Sequence, residues 1–312
     1  MRRLSLLMLA AATGFAGFIL VDTPEERSYA RAAPQFTVKV GVELINVLFS
    51  VTDRKGRFVP GLGPRDFEVE EEGRRQEILH FSPEKELPLT LGLLIDTSPS
   101  VRPVFNEERE TAVSFLEAIL KPKDLALVIG FDRSVTLMQD FTDNFRSLKR
   151  SIDDLEIGGG TSLYDAIYLA AEEKLGQEAG RKAIIVISDG EDTTSKTKFP
   201  EALIAAHQSD AVIYAISNGS RNFFRGGGDP GTLKKFAEET GGRLFFVENK
   251  KDFTEVFAQI ARELRSQYSL AYVSSNSSTD GKFRRIKIIP RQSSNNVRSR
   301  LGYYAAKAPA SP

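Results

Sequence analysis

The sequence predicts an α/β fold: a doubly wound, mainly parallel sheet inserted in, or flanked by, a small β-sandwich built from the segments on either side of it. Three observations predict it. Between residues 87 and 267, short apolar runs alternate with stretches of helical spacing, the pattern of a parallel sheet covered by helices on both faces. Residues 36–86 and 268–305 alternate with period two and carry no helical period. The apolar run LTLGLLI ends on Asp96, and Ser98 and Ser100 follow at alternate positions. A carboxylate and two hydroxyls therefore stand at a strand's C-terminal end, where an open α/β sheet places its ligand.

Composition removes several function classes. Lys+Arg and Asp+Glu are each 42, so the chain lacks the basic excess of a dedicated nucleic-acid binder. It has no cysteine, which excludes disulfides, thiolate metal sites and cysteine nucleophiles. At the N-terminus Arg2 and Arg3 precede an apolar run from Leu4 to Val21, and an acidic DTPEE follows. That order is the order of an export signal whose start stays in the cytoplasm. The run stands at the lower limit for a membrane span, and Ala30-Arg31-Ala32 offers an A-x-A cleavage site. Residues 1–21 thus read as a cleaved signal peptide or a retained anchor. In either case the rest of the chain is expected in the periplasm, the cell envelope or outside the cell.

The elements follow in order. Residues 22–35, with Pro24 and Pro34, read as a linker. FTVKVGVELINVLFSVTD (36–53) predicts one or two strands, and DFEVEEEGRRQEILHFS (66–82) predicts strand, a turn at Glu72-Gly73, and strand again. From Leu89 the pattern switches. Strands are predicted at 89–95, 124–132, 134–142, 181–190, 211–217 and 242–247, and helices at 104–120, 144–155, 163–175, 199–210, 232–241 and 251–267. The short step from 132 to 134 implies an antiparallel hairpin at one edge. After Gln267, strands are predicted at 268–275, 282–290 and 296–305, ahead of a disordered tail at 306–312. Neither flank alone supplies enough strands for a stable sandwich, so the two are expected to pair, with the α/β domain (87–267) inserted between sandwich parts 36–86 and 268–305.

Three loops carry the candidate chemistry: D-T-S-P-S (96–100), G-G-T-S (159–162) and S-D-G-E-D-T (188–193). Together they supply Asp96, Ser98, Ser100, Thr161 and Asp189. Neutral serine hydroxyls can ligate a hard divalent cation directly, while Asp96 and Asp189 sit one water further out or bond the serines. A site with few charges around the metal leaves the cation electrophilic and wanting one more carboxylate. This constellation, in this element order, resembles the metal-ion-dependent adhesion site of von Willebrand factor type A (VWA) domains. The resemblance covers about residues 88–266, and all five motif positions match. The DFEVEE segment and the GYY ending also resemble the flanks of the bacterial VWFA-related family. The resemblance implies a Rossmann-like domain with Mg²⁺ as the default ion, Mn²⁺ or Ca²⁺ being alternatives. It implies a partner protein that offers a Glu or Asp carboxylate. It further implies that ligand binding shifts the last helix of the domain.

Other residues read as structural. Asp165 reads as a first-turn helix residue favoured by the dipole, Glu191 and Asp192 as a solvated loop, and Asp132 and Asp140 as turn chemistry. His80 and His207 lie in different segments and read as structural. GGGDPG (226–231) lacks a following GK[ST] and is no phosphate loop; Arg221, Phe223, Phe224 and Arg225 beside it read equally as a partner-contacting rim or a flexible insertion. Three functions compete. The first is a non-enzymatic adhesion or scaffold module, and the second an envelope module whose metal only stabilises the fold. The third is a phosphatase of the haloacid-dehalogenase type, which needs a second carboxylate where this chain has Ser98. No G-x-S-x-G elbow is present. No catalytic residue is assigned, and the chain is expected not to be an enzyme.

Overall fold

The computed structural model describes residues 44–83, 88–217 and 228–307. The expectations for the N-terminal signal or anchor, the 22–35 linker, residues 36–43 and Arg221 to Arg225 lie outside this range. In chain order the first strands are β1 (Leu44–Thr52), β2 (Phe67–Glu71), β3 (Arg74–Gln76) and β4 (Ile78–Pro83). Glu72 and Gly73 both take positive φ, 48° and 75°, and make the tight β2–β3 turn that their sequence implies.

The central sheet is built next. β5 (Leu89–Asp96) is buried along its whole length, which is why its sequence is an unbroken apolar run. Then come α1 (Phe105–Ile119), the hairpin β6 (Leu125–Phe131) and β7 (Val135–Thr142), α2 (Phe145–Asp153) and α3 (Leu163–Tyr168). α3 continues as a π-helical stretch over Leu169–Lys174 and a 3₁₀ turn over Leu175–Gln177. β8 (Arg181–Ile187), α4 (Phe199–Gln208), β9 (Val212–Ser217), α5 (Pro230–Thr240), β10 (Arg243–Phe246) and α6 (Lys250–Leu264) complete the unit. The strand order is β10-β9-β8-β5-β6-β7. Every pairing is parallel except β6 with β7, the predicted edge hairpin.

The helix boundaries have local causes. The side chain of Asn144 accepts the Arg146 and Ser147 N–H groups ahead of α2, and that of Asn249 accepts the Lys251 and Asp252 N–H groups ahead of α6. Asp229 caps α5, with Pro230 at its first position. One face of the sheet buries Phe115 and Leu116 of α1, Leu148 of α2 and Phe257 of α6; the other buries Ile167 of α3, Ala206 of α4 and Phe236 of α5.

The chain ends with β11 (Tyr268–Val273), β12 (Phe283–Pro290), β13 (Asn296–Ser299) and β14 (Gly302–Tyr304). Strands from the two flanks interleave into two four-stranded antiparallel sheets, β13-β1-β11-β4 and β14-β12-β2-β3. Their facing sides share one apolar core of Val47, Phe49, Leu270, Val69, Ile288 and others, with the rings of Phe49 and Phe67 edge-on at 5.1 Å across the gap. Two expected single strands are each divided. The run after Gly73 breaks at Glu77, so that β3 stays with β2 while β4 crosses to the other sheet. The run 296–305 breaks at Arg300-Leu301, where the Arg300 guanidinium turns to the Asp210 carboxylate and to the Asn46 carbonyl.

The α/β unit is seated on the sandwich through α6. Glu263, 1% exposed, accepts Ser50 Oγ of β1 at 3.1 Å and Arg298 Nη1 of β13 at 2.9 Å. Arg181, also buried, donates to the Leu264 carbonyl at 2.6 Å. Among the described residues no helix is long and apolar enough to cross a membrane.

Candidate metal centre

β5 delivers Asp96 to the C-terminal edge of the sheet with 0% exposure. The Thr97 N–H donates to the Phe131 carbonyl at 2.8 Å, which keeps the departing loop against β6. Asp96 Oδ1 accepts the Ser98 N–H at 2.8 Å, an Asx turn that orients Ser98. Pro99 then opens a 3₁₀ turn over Pro99–Val101, and the Ser98 and Ser100 hydroxyl oxygens come within 2.9 Å of each other.

The other two loops are tied to this one by hydrogen bonds. The Gly158 N–H donates to the Thr97 carbonyl at 2.9 Å. Thr161 is held through its backbone: its N–H donates to Thr193 Oγ1 at 2.9 Å, and its carbonyl accepts the Thr193 N–H at 2.8 Å. Ser188 Oγ donates to Asp96 Oδ2 at 2.6 Å and accepts the Gly190 N–H at 3.0 Å, which fixes Asp189 next to Asp96. Gly190 has φ +89°, and a Cβ there would fall 2.3 Å from the Asp229 carbonyl oxygen. Only glycine admits so close an approach of the two backbones. The structure thus brings Asp96, Ser98, Ser100, Thr161 and Asp189 to one end of the sheet on three mutually tied loops.

The electrostatics set these residues apart. Burial pushes the Asp96 carboxyl up to about 6; hydrogen bonds from Ser188 and Ser98 oppose that rise, and the neighbouring Asp189 charge adds to it. Asp189 is itself 6% exposed. Among the described residues neither carboxylate forms an ion pair with lysine or arginine. Two buried acids without a basic partner are a place for a cation. The donor set suits a hard one. Cis ligands of an octahedral Mg²⁺ bound at about 2.1 Å stand about 3.0 Å apart, close to the 2.9 Å between Ser98 Oγ and Ser100 Oγ. Among the described residues no group of three or more His, Cys, Asp or Glu side chains could hold a metal ion; a hydroxyl-rich site is of a different kind.

The surrounding residues hold the loops. Asp165 lies in the first turn of α3 and accepts the Lys196 and Thr197 N–H groups at 3.0 and 2.8 Å. Burial works against its charged form, but these bonds outweigh it and keep the carboxyl below its ordinary range. Asp192 is not a merely solvated loop residue. Its Oδ1 accepts the Tyr164 N–H at 3.1 Å and Ser195 Oγ at 2.5 Å, and so clamps the start of α3. Asp132 accepts the Ser134 N–H at 2.8 Å, and Asp140 accepts the Phe141 N–H while pairing with Lys174 at 2.7 Å. Sequence reasoning did not assign Ser188 or Thr193. Both lie in the quoted S-D-G-E-D-T run, but their partners are 92 and 32 residues away. His80 is exposed on β4. His207 is buried at the end of α4, with the Phe283 ring edge-on at 5.0 Å.

A mainly parallel sheet with an oxygen-rich, anionic C-terminal edge defines an α/β module whose edge suits a cation. The von Willebrand factor type A domain profile matches residues 91–259, and the chain belongs to that family. Domains of this family mediate protein–protein interactions, are generally non-enzymatic, and typically bind a divalent metal. A comparison with curated proteins finds no match. Among solved structures, proximal thread matrix protein 1 from the mussel byssus, determined with a zinc-occupied MIDAS motif, is 15% identical at TM-score 0.52. The match covers 63% of this chain and 50% of the mussel chain, so this chain spans half that protein's length. A von Willebrand factor type A protein from Catenulispora acidiphila is 10% identical at TM-score 0.50 and is matched over 85% of this chain and 74% of its own. BatB from Bacteroides thetaiotaomicron is 20% identical at TM-score 0.46, over 57% of this chain and 100% of that one. At these identities the likeness is one of fold.

Proposed function

We propose that this chain is an exported, non-enzymatic protein-binding module that grips an acidic side chain of a partner through a divalent cation, with Mg²⁺ as the default ion. Ser98 and Ser100 would hold the ion through their hydroxyls, with Thr161 as a further oxygen donor. Asp96 and Asp189 supply the charge from behind, directly or through water. When bound, the ion supplies an electrophilic position for the partner's Glu or Asp. The chain's own residues exclude bulk water behind the ion and fix the loops. The observation that carries this reading is the pair of buried carboxylates, Asp96 and Asp189, with no basic partner among the described residues and with two hydroxyls at cis-ligand spacing beside them. Nothing around Asp96 supports phosphoryl transfer, since the position two residues on is the hydroxyl of Ser98 rather than a second acid.

Capture from a cell-envelope extract tests the proposal. Wild-type protein should retain a partner in Mg²⁺ and release it in EDTA, and Asp96→Ala should retain nothing in either. Equal capture by wild type and Asp96→Ala in Mg²⁺ would sink the adhesion reading. A rise in thermal stability with Mg²⁺, and no metal-dependent capture, would instead support a site that only stabilises the fold.

A further inference from the structure

The central sheet ends on β10, and among the described residues no further strand pairs with its outer edge. The Val247 N–H donates to the Ser217 carbonyl of β9 at 3.0 Å. Backbone groups alternate sides along a strand, so Arg243 and Phe245 turn theirs to β9, and Leu244 turns its N–H and C=O outward. Neither Leu244 group has a hydrogen-bond partner among the described residues, and the residue is partly exposed. Along this edge, between α5 and β13, runs a groove of about 590 Å³ walled by Lys234, Glu238, Arg243, Leu244, Phe246 and Arg298. A second hollow of about 500 Å³ shares Arg243 and Arg298 and extends to Glu263 of α6 and to Asp53, Arg54 and Lys55 in the turn after β1.

The charge on these walls is one-sided. Each acid already has a basic partner: Glu238 has Lys234 at 3.7 Å, Glu263 has Arg298 at 2.9 Å, and Asp53 has Arg57 at 2.7 Å. Arg54, Lys55 and Arg243 form no ion pair among the described residues and reach solvent. The Arg243 guanidinium lies over the Phe245 ring, 5.1 Å from its centroid, which aims it along the edge. Burial, and then the charge of Arg298, weigh against its charged form, with Glu263 opposing them; a carboxylate arriving from outside would relieve both.

We propose that the outer edge of β10 docks an extended acidic segment of a partner protein as an added strand, its backbone pairing with Leu244 and its carboxylates meeting Arg243, Arg54 and Lys55. The open backbone groups select a peptide strand over a free anion or a polyanion without amides. The three uncompensated bases select an acidic one. Short length and charge guard an edge strand against indiscriminate pairing; charge of a single sign guards it selectively and admits a strand of the opposite sign. The four residues of β10 span about 13 Å, so the contact is short and its strength depends on the ion pairs. It does not rest on the metal site, and its failure would leave the metal reading standing.

The test uses the full chain in EDTA, which removes any contact through a metal. The probe is a blocked, fluorophore-labelled peptide of alternating valine and glutamate. Its controls are the same peptide with lysine for glutamate, the same peptide with every backbone amide N-methylated, and inorganic polyphosphate. Binding is followed by fluorescence anisotropy and by hydrogen exchange at the Leu244 amide, which should exchange freely in the protein alone. The acidic peptide should saturate and slow that exchange about tenfold, with no change at the Leu137 amide on the opposite edge of the sheet. The lysine and N-methylated peptides should each bind about fivefold more weakly or less, and Arg243→Gln should lose a similar factor. Ser98→Ala should bind like the wild type. The proposal is overturned if the acidic peptide leaves Leu244 exchange in the wild type unchanged, a result that needs no variant to fold. It also fails if the N-methylated or lysine peptide binds as well as the acidic one, if polyphosphate protects Leu244 equally, or if Arg243→Gln titrates like the wild type.

Discussion

Asp96→Asn should make the metal-free protein more stable at neutral pH while removing its response to metal. The Asp96 carboxyl is raised by burial from 3.8 to about 6. An acid whose pKa is higher in the folded state than in the unfolded one binds its proton more tightly when folded. Its stabilising contribution is therefore complete below pH ~4 and is lost as pH rises through about 6. At about 1.4 kcal/mol per unit, the charged carboxylate at pH 7.5 costs about 3 kcal/mol relative to the neutral acid. Asparagine is neutral at every pH and keeps Oδ1 for the Ser98 N–H. Its amide would face Ser188 Oγ, which already accepts the Gly190 N–H, and the displaced Ser188 proton takes back about 1 kcal/mol. The net expectation in EDTA at pH 7.5 is a gain of about 2 kcal/mol, falling away by pH 4. Mg²⁺ at one hundred times its dissociation constant should stabilise the wild type by about 2.7 kcal/mol and the variant not at all. Urea denaturation at both pH values, with EDTA and with Mg²⁺, reads all four quantities. A variant less stable than wild type in EDTA at pH 7.5, or equally stabilised by Mg²⁺, would refute the reasoning.

Three further perturbations probe other parts of the molecule. Gly190→Ala should lose about 2 kcal/mol from its positive φ and the clash with Asp229, and its Mg²⁺-dependent stabilisation should fall with it in the same urea assay. Arg298→Ala leaves the buried Glu263 with Ser50 as its remaining partner in the sandwich and should destabilise by about 2 kcal/mol, discounted because Arg298 is part-exposed. Adding Glu263→Gln to that variant should recover much of the loss, and hydrogen exchange in α6 should rise in the single variant more than in the double one. His207, pushed down to about 4 chiefly by burial and further by Arg300, contributes stability present above pH ~6.5 and lost as pH falls through about 4. The wild type should accordingly lose about 3 kcal/mol relative to His207→Gln between pH 7 and pH 4, and parallel pH profiles for the two proteins would contradict that assignment.

Much of this architecture could be read from the chain because its causes are local or periodic. The unbroken apolar run of β5 reflects burial on both faces, and the short 132–134 step permits only a hairpin between β6 and β7. The five candidate residues for the cation are legible for the same reason: each sits within a few positions of a strand end or a glycine that marks a loop at the edge of the sheet. The reading of Asp192 as solvated fails because its partner, the Tyr164 N–H, is 28 residues away and leaves no trace in spacing. The role of Ser188 is hidden for the same cause, its partner Asp96 being 92 residues away.

The sequence by itself determined which segments are strands and helices, which faces they bury, and which oxygen-bearing side chains gather at the sheet edge. Tertiary structure alone decided the division of the sandwich strands, with β3 and β4 in different sheets and Arg300 turned aside between β13 and β14. It alone decided that Asp96 and Asp189 stand buried with no basic partner among the described residues. It also created the basic groove along β10 and the seat of Glu263 against Ser50 and Arg298. Periodicity reports how one element meets solvent or core. Charge pairing and cavities depend on groups distant in sequence, and only the assembled chain brings those together.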